Sequence, residues 1–578
     1  MVNVKNLFGM AVMATALVGC SSNDNLNPNA NDNAGKAGEA YASFKINLPT
    51  VSGTRAPSVP DGTPEFKPGT DDEYAVNDAT LLLFKKDKEG GKTVYKFQES
   101  VDLGNMEPWT SSSTDGITTT AKLTAKLTKA EVGSNKGYYA LIVLNNNKGM
   151  DKKITYPGVG DKYSDWSKKA ITITSTENNY LKHDKGFFMA NAPKYVADGT
   201  PETLVEIKNV YASKQQAENS TATTVYVERG LAKVSLADGS KEHVDINKGN
   251  YKDDKVDITG WTLDVTNTKT YPVHVTDGLW EDIWKTTVAD GDNDASITRF
   301  YDSKLLEFPR VYWGADPNYS TDFASVADCK KDFKMATTTD FKSGADAKMP
   351  QYCLENTFDI NHMVQGQTTR VLFSAKYTPA NFRDGETFYK FGNSPKLWHA
   401  ADVVAQIKAK AMEVLGEADD SKVTVKLDAT GNDMTNSGVK LVAAVNVQHN
   451  STNILDAQAS QINEKLGFKA ATATDAAVGL STYKSGVSYY IARVKHFNNL
   501  TPWSAGNVTY GGKNINWLGR YGVLRNNWYE LSVNSVSGPG YPDIPEVKPT
   551  VPDDENDQYI NVEVKILDWA KRSQTVDL

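Results

Sequence analysis

Two segments at opposite ends of the chain alternate apolar and polar residues with a period of two, which confines each to an extended strand with one buried face. Near the start, YASFKINLPT puts Ala42, Phe44, Ile46 and Leu48 on one side and Ser43, Lys45 and Asn47 on the other. Near the end, YINVEVKILDW puts Ile560, Val562, Val564 and Ile566 on one side and Asn561, Glu563 and Lys565 on the other. Either strand could fill the same apolar groove in a β-sandwich.

Between them the chain keeps to short strands. Ala79–Phe84, Tyr138–Leu144, Thr223–Val227, Leu231–Leu236, Thr369–Ala375 and Val487–Val494 are brief apolar or alternating runs, separated by clusters of Gly, Asn, Asp, Lys and Pro. Such spacing predicts a mainly β protein built of antiparallel sandwiches. Two stretches carry helical spacing instead: Ala400–Leu415, and more weakly Asn453–Leu466. They are expected to be minor helical insertions packed on a sandwich. With 578 residues the chain exceeds what one core serves, so two β-sandwich domains are expected. The polar stretch Lys214–Thr221 suggests the division, giving an N-terminal domain over 56–222 and a C-terminal domain over 223–536.

The first twenty residues read as an address. Lys5 precedes an apolar run from Leu7 to Val18, too short to span a bilayer with ordinary flanks and suited to a secretory signal peptide. The run ends in Leu17-Val18-Gly19-Cys20, which resembles a bacterial lipobox, so Cys20 is expected to carry lipid and hold the exported precursor at a membrane. Asn recurs at alternate positions from Asn23 to Asn33, with nothing apolar to drive packing; this is a tether.

The segments joining the two end strands to the body differ. The first strand runs into VSGTRAPSVPDGTPEFKPGT, where a trypsin-like protease could cut between Arg55 and Ala56. The last is preceded by Ser537–Asp557 with its five prolines, an extended, semi-rigid piece expected to project the strand outward. A switch follows. Residues 21–55 leave after cleavage, the vacated groove exposes unpaired strand edges, and the strand within residues 537–578 of another copy enters. Burying four aliphatic side chains contributes roughly 6–12 kcal/mol gross. Because donor and groove are different surfaces, copies add without closing into a ring. The simpler alternative is that both strands pair within one monomer.

Several segments resemble the fimbrillins of Bacteroidales, in particular the major shaft subunits of their short fimbriae. They are the lipobox LVGC, FKINLPT leading to Thr54-Arg55-Ala56, VNDATLLLF, GYYALIVLNN, Val227–Val234 (VERGLAKV), GVSYYIARV and, most of all, Tyr521–Val536 (YGVLRNNWYELSVNSV) followed after Ser537 by GPGYP. The resemblance implies two transthyretin-like sandwiches and removal of the first strand by an arginine-specific or trypsin-like protease, with the cut at Arg55–Ala56 and the donor strand within Tyr559–Leu578. It also implies a surface fimbrium at the outer membrane, with further copies, anchor and tip subunits, the processing protease and a host or bacterial surface receptor as partners.

Other functions find little support. The net charge of −8 and the lack of a Lys/Arg cluster argue against nucleic acid. No two of the seven histidines lie within a helical turn, so no metal-binding pair of the HExxH kind exists. Gly506–Asn514 departs from a P-loop at its Lys and Ser/Thr positions, and the Asp290-Asp292-Asp294 run lacks the Gly and Glu of a calcium loop. No cofactor, metal or enzymatic activity is expected. Cys329 and Cys353 are close enough in sequence to be a candidate disulfide in an exported protein. A tip or accessory adhesin of the same fimbriae, or a surface glycan-binding lipoprotein, would read similarly.

Overall fold

A computed structural model describes residues 39–49, 66–67, 73, 75–104, 110–111, 117–146, 152–173, 179–182, 186–195, 201–237, 243–245, 249–276, 300, 311–319, 323–359, 361–472, 475–496, 518–553 and 560–569. The protein is mainly β, as its periodicity predicts. Cys20, Arg55, Ala56, the Asp290–Asp294 run and Gly506–Asn514 lie outside the described residues.

The first sandwich is built from β1 (Ala40–Pro49), β2 (Ala79–Glu89), β3 (Lys92–Gly104), β4 (Ile117–Leu127), β5 (Gly133–Leu144), β6 (Met189–Asn191), β7 (Val205–Val210) and β8 (Thr223–Arg229). The hydrogen-bonded order is β3-β2-β5-β6-β8-β1-β4, with β7 added on β5. β8 belongs to both layers. Its first half runs parallel to β1, Phe44 opposite Thr223 to Asn47 opposite Tyr226, and its second half runs antiparallel to β6. The core between the layers holds Phe44, Ile46 and Leu48 of β1 against Leu81, Leu83, Ile142 and Val225. A division between 222 and 223 would cut β8 from the sheet it completes. The polar stretch taken for a linker is instead a short helix, α1 (Lys214–Glu218), N-capped by the Ser213 hydroxyl and lying against β1.

The second sandwich is built from two sheets. One holds β9 (Ala232–Leu236), β11 (Gln351–Cys353), β14 (Asn527–Val536) and β15 (Ile560–Trp569), in the order β15-β14-β9-β11; the other holds β10 (Lys255–Asp264), β12 (Arg370–Thr378) and β13 (Val487–Arg493). Trp261, Phe373 and Tyr490 meet Val234, Tyr529 and Leu531 in its core.

The two helices, α2 (Ala400–Leu415) and α3 (Asp456–Leu466), do not pack on that core. Val403, Ile407 and Ala411 of α2 and Ala459 and Ile462 of α3 meet Val423, Val447 and Leu480 from short strands, and Met434 from a turn, in a separate cluster. The insertion between β12 and β13 is thus a small α+β module with its own apolar centre. Both helices end on a left-handed glycine, Gly416 and Gly467, as expected of an αL cap.

Candidate functional site

Burial dictates how each end strand can behave. β1 is an interior strand: antiparallel to β4 from Ala40–Leu127 to Pro49–Ile117, and parallel to β8 on its other side. Ala42, Phe44, Ile46 and Leu48 are at most 1% exposed. Its polar face is covered too. Ser43 shares a 3.0 Å hydrogen bond with Thr124, and Asn47 Oδ1 accepts from the Thr120 hydroxyl at 2.7 Å; both residues are buried, whereas Lys45 is exposed. Burying Phe44, Ile46 and Leu48 stabilises by about 1.5–3 kcal/mol each. Removing the strand would bare two ladder edges and an apolar slot.

β15 is placed differently. It runs antiparallel to β14, with Tyr529 opposite Ile566, Leu531 opposite Val564, Val533 opposite Val562 and Val536 opposite Ile560. Among the described residues, its other side pairs with the two-residue strand Phe66–Lys67, opposite Asp568 and Trp569. The end strands therefore both pair within the one chain, the simpler alternative raised above, but β1 is interior and β15 lies next to the sheet edge.

The projecting proline-rich segment is corrected in part. Residues 537–553 lie against the second sandwich instead of standing off it: Tyr541 exchanges backbone bonds with Tyr489, and Val547 is buried among Val265, Phe323, Cys329 and Phe333. The carbonyls of Gly538, Gly540 and Pro545 accept from Tyr490, Tyr483 and Arg370, which lie on strands distant in sequence.

The candidate disulfide is also corrected. Cys329 and Cys353 are both free and buried, in different clusters: Cys329 ends a short helical turn beside Phe323 and Phe333, while Cys353 sits opposite Ala232 on β11. Burial pushes the Cys329 thiol up to about 11 and the Cys353 thiol up to about 12, so neither is a thiolate at neutral pH. Neither thiol should react with iodoacetamide in the native protein, both should react in urea, and dithiothreitol should leave Tm unchanged. A dithiothreitol-dependent fall in Tm would show a bridge.

A second constellation lies at the junction of the two sandwiches, and spacing alone does not reveal it. Glu73, the first described residue after Phe66–Lys67, is fully buried. Its carboxylate accepts from Lys233 Nζ (2.8 and 3.0 Å) and the Tyr352 hydroxyl (2.6 Å), and its carbonyl accepts from Arg229 Nε (3.2 Å) and Nη2 (3.1 Å). The Lys233 ammonium also sits 3.6 Å from the centre of the Trp528 ring. The Arg229 backbone N–H and Nη1 both donate to Asn526 Oδ1 at 3.2 Å. Glu228 pairs with His274 Nδ1 at 2.6 Å, and Arg525 pairs with Glu355 through both carboxylate oxygens. Burial opposes the Arg525 charge, but Glu355 outweighs it and holds the guanidinium above its ordinary range. Nearby, burial raises the Asp316 carboxyl to about 7.

The residues VERGLAKV and RNN are thus the two halves of one clamp. Asn526 adopts the left-handed conformation, φ +60°, that a turn residue feeding β14 needs. A side chain at Gly230 would come within 2.1 Å of the Tyr180 hydroxyl. Among the described residues no group of three or more His, Cys, Asp or Glu could hold a metal ion. No described helix is long and apolar enough to cross a membrane.

The fold and junction define a mainly β protein of two clamped sandwiches, the first completed by the described chain's own leading strand. Residues 481–575, carrying β13, β14 and β15, match the family of the major fimbrial subunit protein type IV, fimbrillin, C-terminal. That match is in keeping with the resemblance drawn from its motifs. No curated relative matches significantly. Among solved structures it is similar to a fimbrilin, FimA, from Porphyromonas gingivalis (11% identity, 92% of this chain and 99% of that one, TM-score 0.36). It is also similar to a protein from Parabacteroides distasonis assigned to cell adhesion (10%, 92% and 98%, 0.37). A third is the tip fimbrial protein Mfa3 from Porphyromonas gingivalis (12%, 92% and 100%, 0.27).

Proposed function

We propose that this protein is a structural subunit of surface fimbriae. It is exported as a precursor lipidated at Cys20, cut between Arg55 and Ala56, and polymerised by donor-strand exchange. The observation that carries the reading is the contrast between the two end strands. β1 is interior and holds the first sandwich together through Phe44, Ile46 and Leu48, so it leaves only when the chain behind it is cut. Among the described residues β15 has one full-length neighbour, so it leaves with the loss of one long ladder and a two-residue pairing. Its Ile560, Val562, Val564 and Ile566 repeat the spacing of Ala42, Phe44, Ile46 and Leu48, so it can take the slot in another copy. The match over 481–575 supports a fimbrial role, and the same role accounts for the adhesion partners and the cell-surface location. We place the division between the sandwiches at Gly230, after β8, since β8 pairs with β1 and β6.

Limited trypsin should convert the monomeric precursor into SDS-resistant ladders. Arg55→Ala should abolish the conversion, and deleting residues 559–578 should leave cut monomers. Cut protein that accepts a separate donor yet forms no homopolymer would make it a tip subunit. Polysaccharide binding by a monomer that trypsin does not convert would make it a glycan-binding lipoprotein.

A further inference from the structure

Donor exchange needs a pivot, and the length of arm beyond it sets how far the strand can reach. The proline-rich segment looks like the arm in sequence, yet the described part, residues 537–553, is held at both ends and in the middle. At its start the Tyr490 hydroxyl donates to the Gly538 carbonyl (3.0 Å) and the Tyr483 hydroxyl to the Gly540 carbonyl (2.9 Å). Tyr489 and Tyr541 exchange both backbone bonds, at 2.9 and 2.8 Å. Gly540 lies at φ +64°, and a side chain there would come within 2.5 Å of the Tyr489 carbonyl oxygen, so the close approach requires glycine. In the middle, Arg370 Nη2 donates to the Pro545 carbonyl at 2.5 Å while its Nε binds Asp264 at 2.7 Å. At its end, Gln365 accepts from Lys548 N–H at 3.0 Å and its own N–H donates to the Val551 carbonyl at 2.9 Å. Asp553 is fully buried; its N–H donates to the Met363 carbonyl at 3.1 Å and its carboxylate accepts from the Thr368 hydroxyl at 2.8 Å.

On the donor-strand reading above, we infer that residues 537–553 are a strap that stays on its own subunit during exchange. Asp553 is the pivot, and Thr368 and Arg370 are positioning residues that fix where the donor leaves the body. The arm is then residues 554–578. From Asp553 to Trp569 it spans about 55 Å when fully extended, at about 3.4 Å per residue. The strap would otherwise add about as much again, and the neighbouring subunit could sit anywhere within that longer radius. Holding it converts a loose tether into a fixed offset between consecutive subunits, which raises the effective concentration of strand at the next groove.

The test locks each piece separately. Tyr489→Cys with Tyr541→Cys joins a hydrogen-bonded antiparallel pair, whose spacing suits a disulfide, and pins the strap. Ser532→Cys with Glu563→Cys, opposite each other on β14 and β15, pins the donor strand. After oxidation and trypsin, the strap-locked protein should form ladders within about twofold of the wild-type rate. The donor-locked protein should form none until reduced. Strap-locked protein that assembles only after reduction would overturn the strap, leaving the donor reading intact. Donor-locked protein that assembles as fast as wild type would remove the donor reading, and the strap's role with it. Hydrogen exchange of the unmodified chain gives an independent readout: amides of residues 541–553 should be equally protected in monomer and filament, and a tenfold loss of protection on assembly would sink the inference.

Discussion

Replacing Arg525 with methionine should destabilise the protein by about 3–5 kcal/mol, read as a shift of the urea unfolding midpoint at unchanged slope. Arg525 and Glu355 are each 2% exposed, and the guanidinium engages both oxygens of the carboxylate. Removing the cation strands a buried carboxylate in a junction that already holds Glu228 and Asp316. The attraction of the pair is not what is lost, since taking two charges out of water offsets most of it; the large term is the uncompensated charge. The double variant Arg525→Met with Glu355→Leu should therefore recover most of the loss, giving a coupling of a few kcal/mol in the double-mutant cycle. A single variant within about 1 kcal/mol of wild type would mean that the junction relaxes and admits water. The clamp it belongs to ties Glu73, Arg229, Lys233 and Asn526 across the two sandwiches.

How far such features are legible in the sequence depends on the range of the interactions behind them. β1 and the run 133–144 repeat with a period of two or form a short apolar run, and a strand's burial is written in its own ten residues. Helices α2 and α3 are legible for the same reason, though their packing is not. Ile407 and Ile462 meet strands contributed by residues 423–480, so a helical stripe says only that some apolar surface faces it. The polar stretch at Lys214–Thr221 has the composition of a linker, but Ser213 caps it into a helix and Ala217 is buried. The prolines of 537–553 do forbid a ladder strand, as expected. What they cannot indicate is that Tyr483, Tyr490 and Arg370, all far away in sequence, present donors to the carbonyls between them. Charges embedded in apolar runs were the available signal for the junction. Glu228, Arg229 and Lys233 stand in VERGLAKV, where a buried strand has no use for them unless partners wait across an interface. Their partners lie far off in the chain, at Glu73, His274 and Asn526, beyond any local pattern.

On the donor-strand proposal, Phe44→Ala separates what the first strand does before cleavage from what it does afterwards. In the uncut precursor Phe44 is fully buried in the first core, between β4 and β8, and its removal leaves a cavity costing about 3–5 kcal/mol. The uncut variant should unfold at a correspondingly lower urea concentration. After trypsin the strand should leave faster than from wild type, since fewer contacts hold it, and ladders should form sooner. On that proposal Phe44 is no longer in the ladder once it has formed. The temperature at which variant filaments dissociate in SDS should then equal the wild-type value, although the monomers differ by several kcal/mol. Val564→Ala should do the reverse at the assembled stage, lowering the dissociation temperature of the filament. A Phe44→Ala filament that falls apart earlier than wild type would show that the leading strand is still in place after the cut. The slot would then never have been vacated, and the two end strands would be permanent members of their own sandwiches.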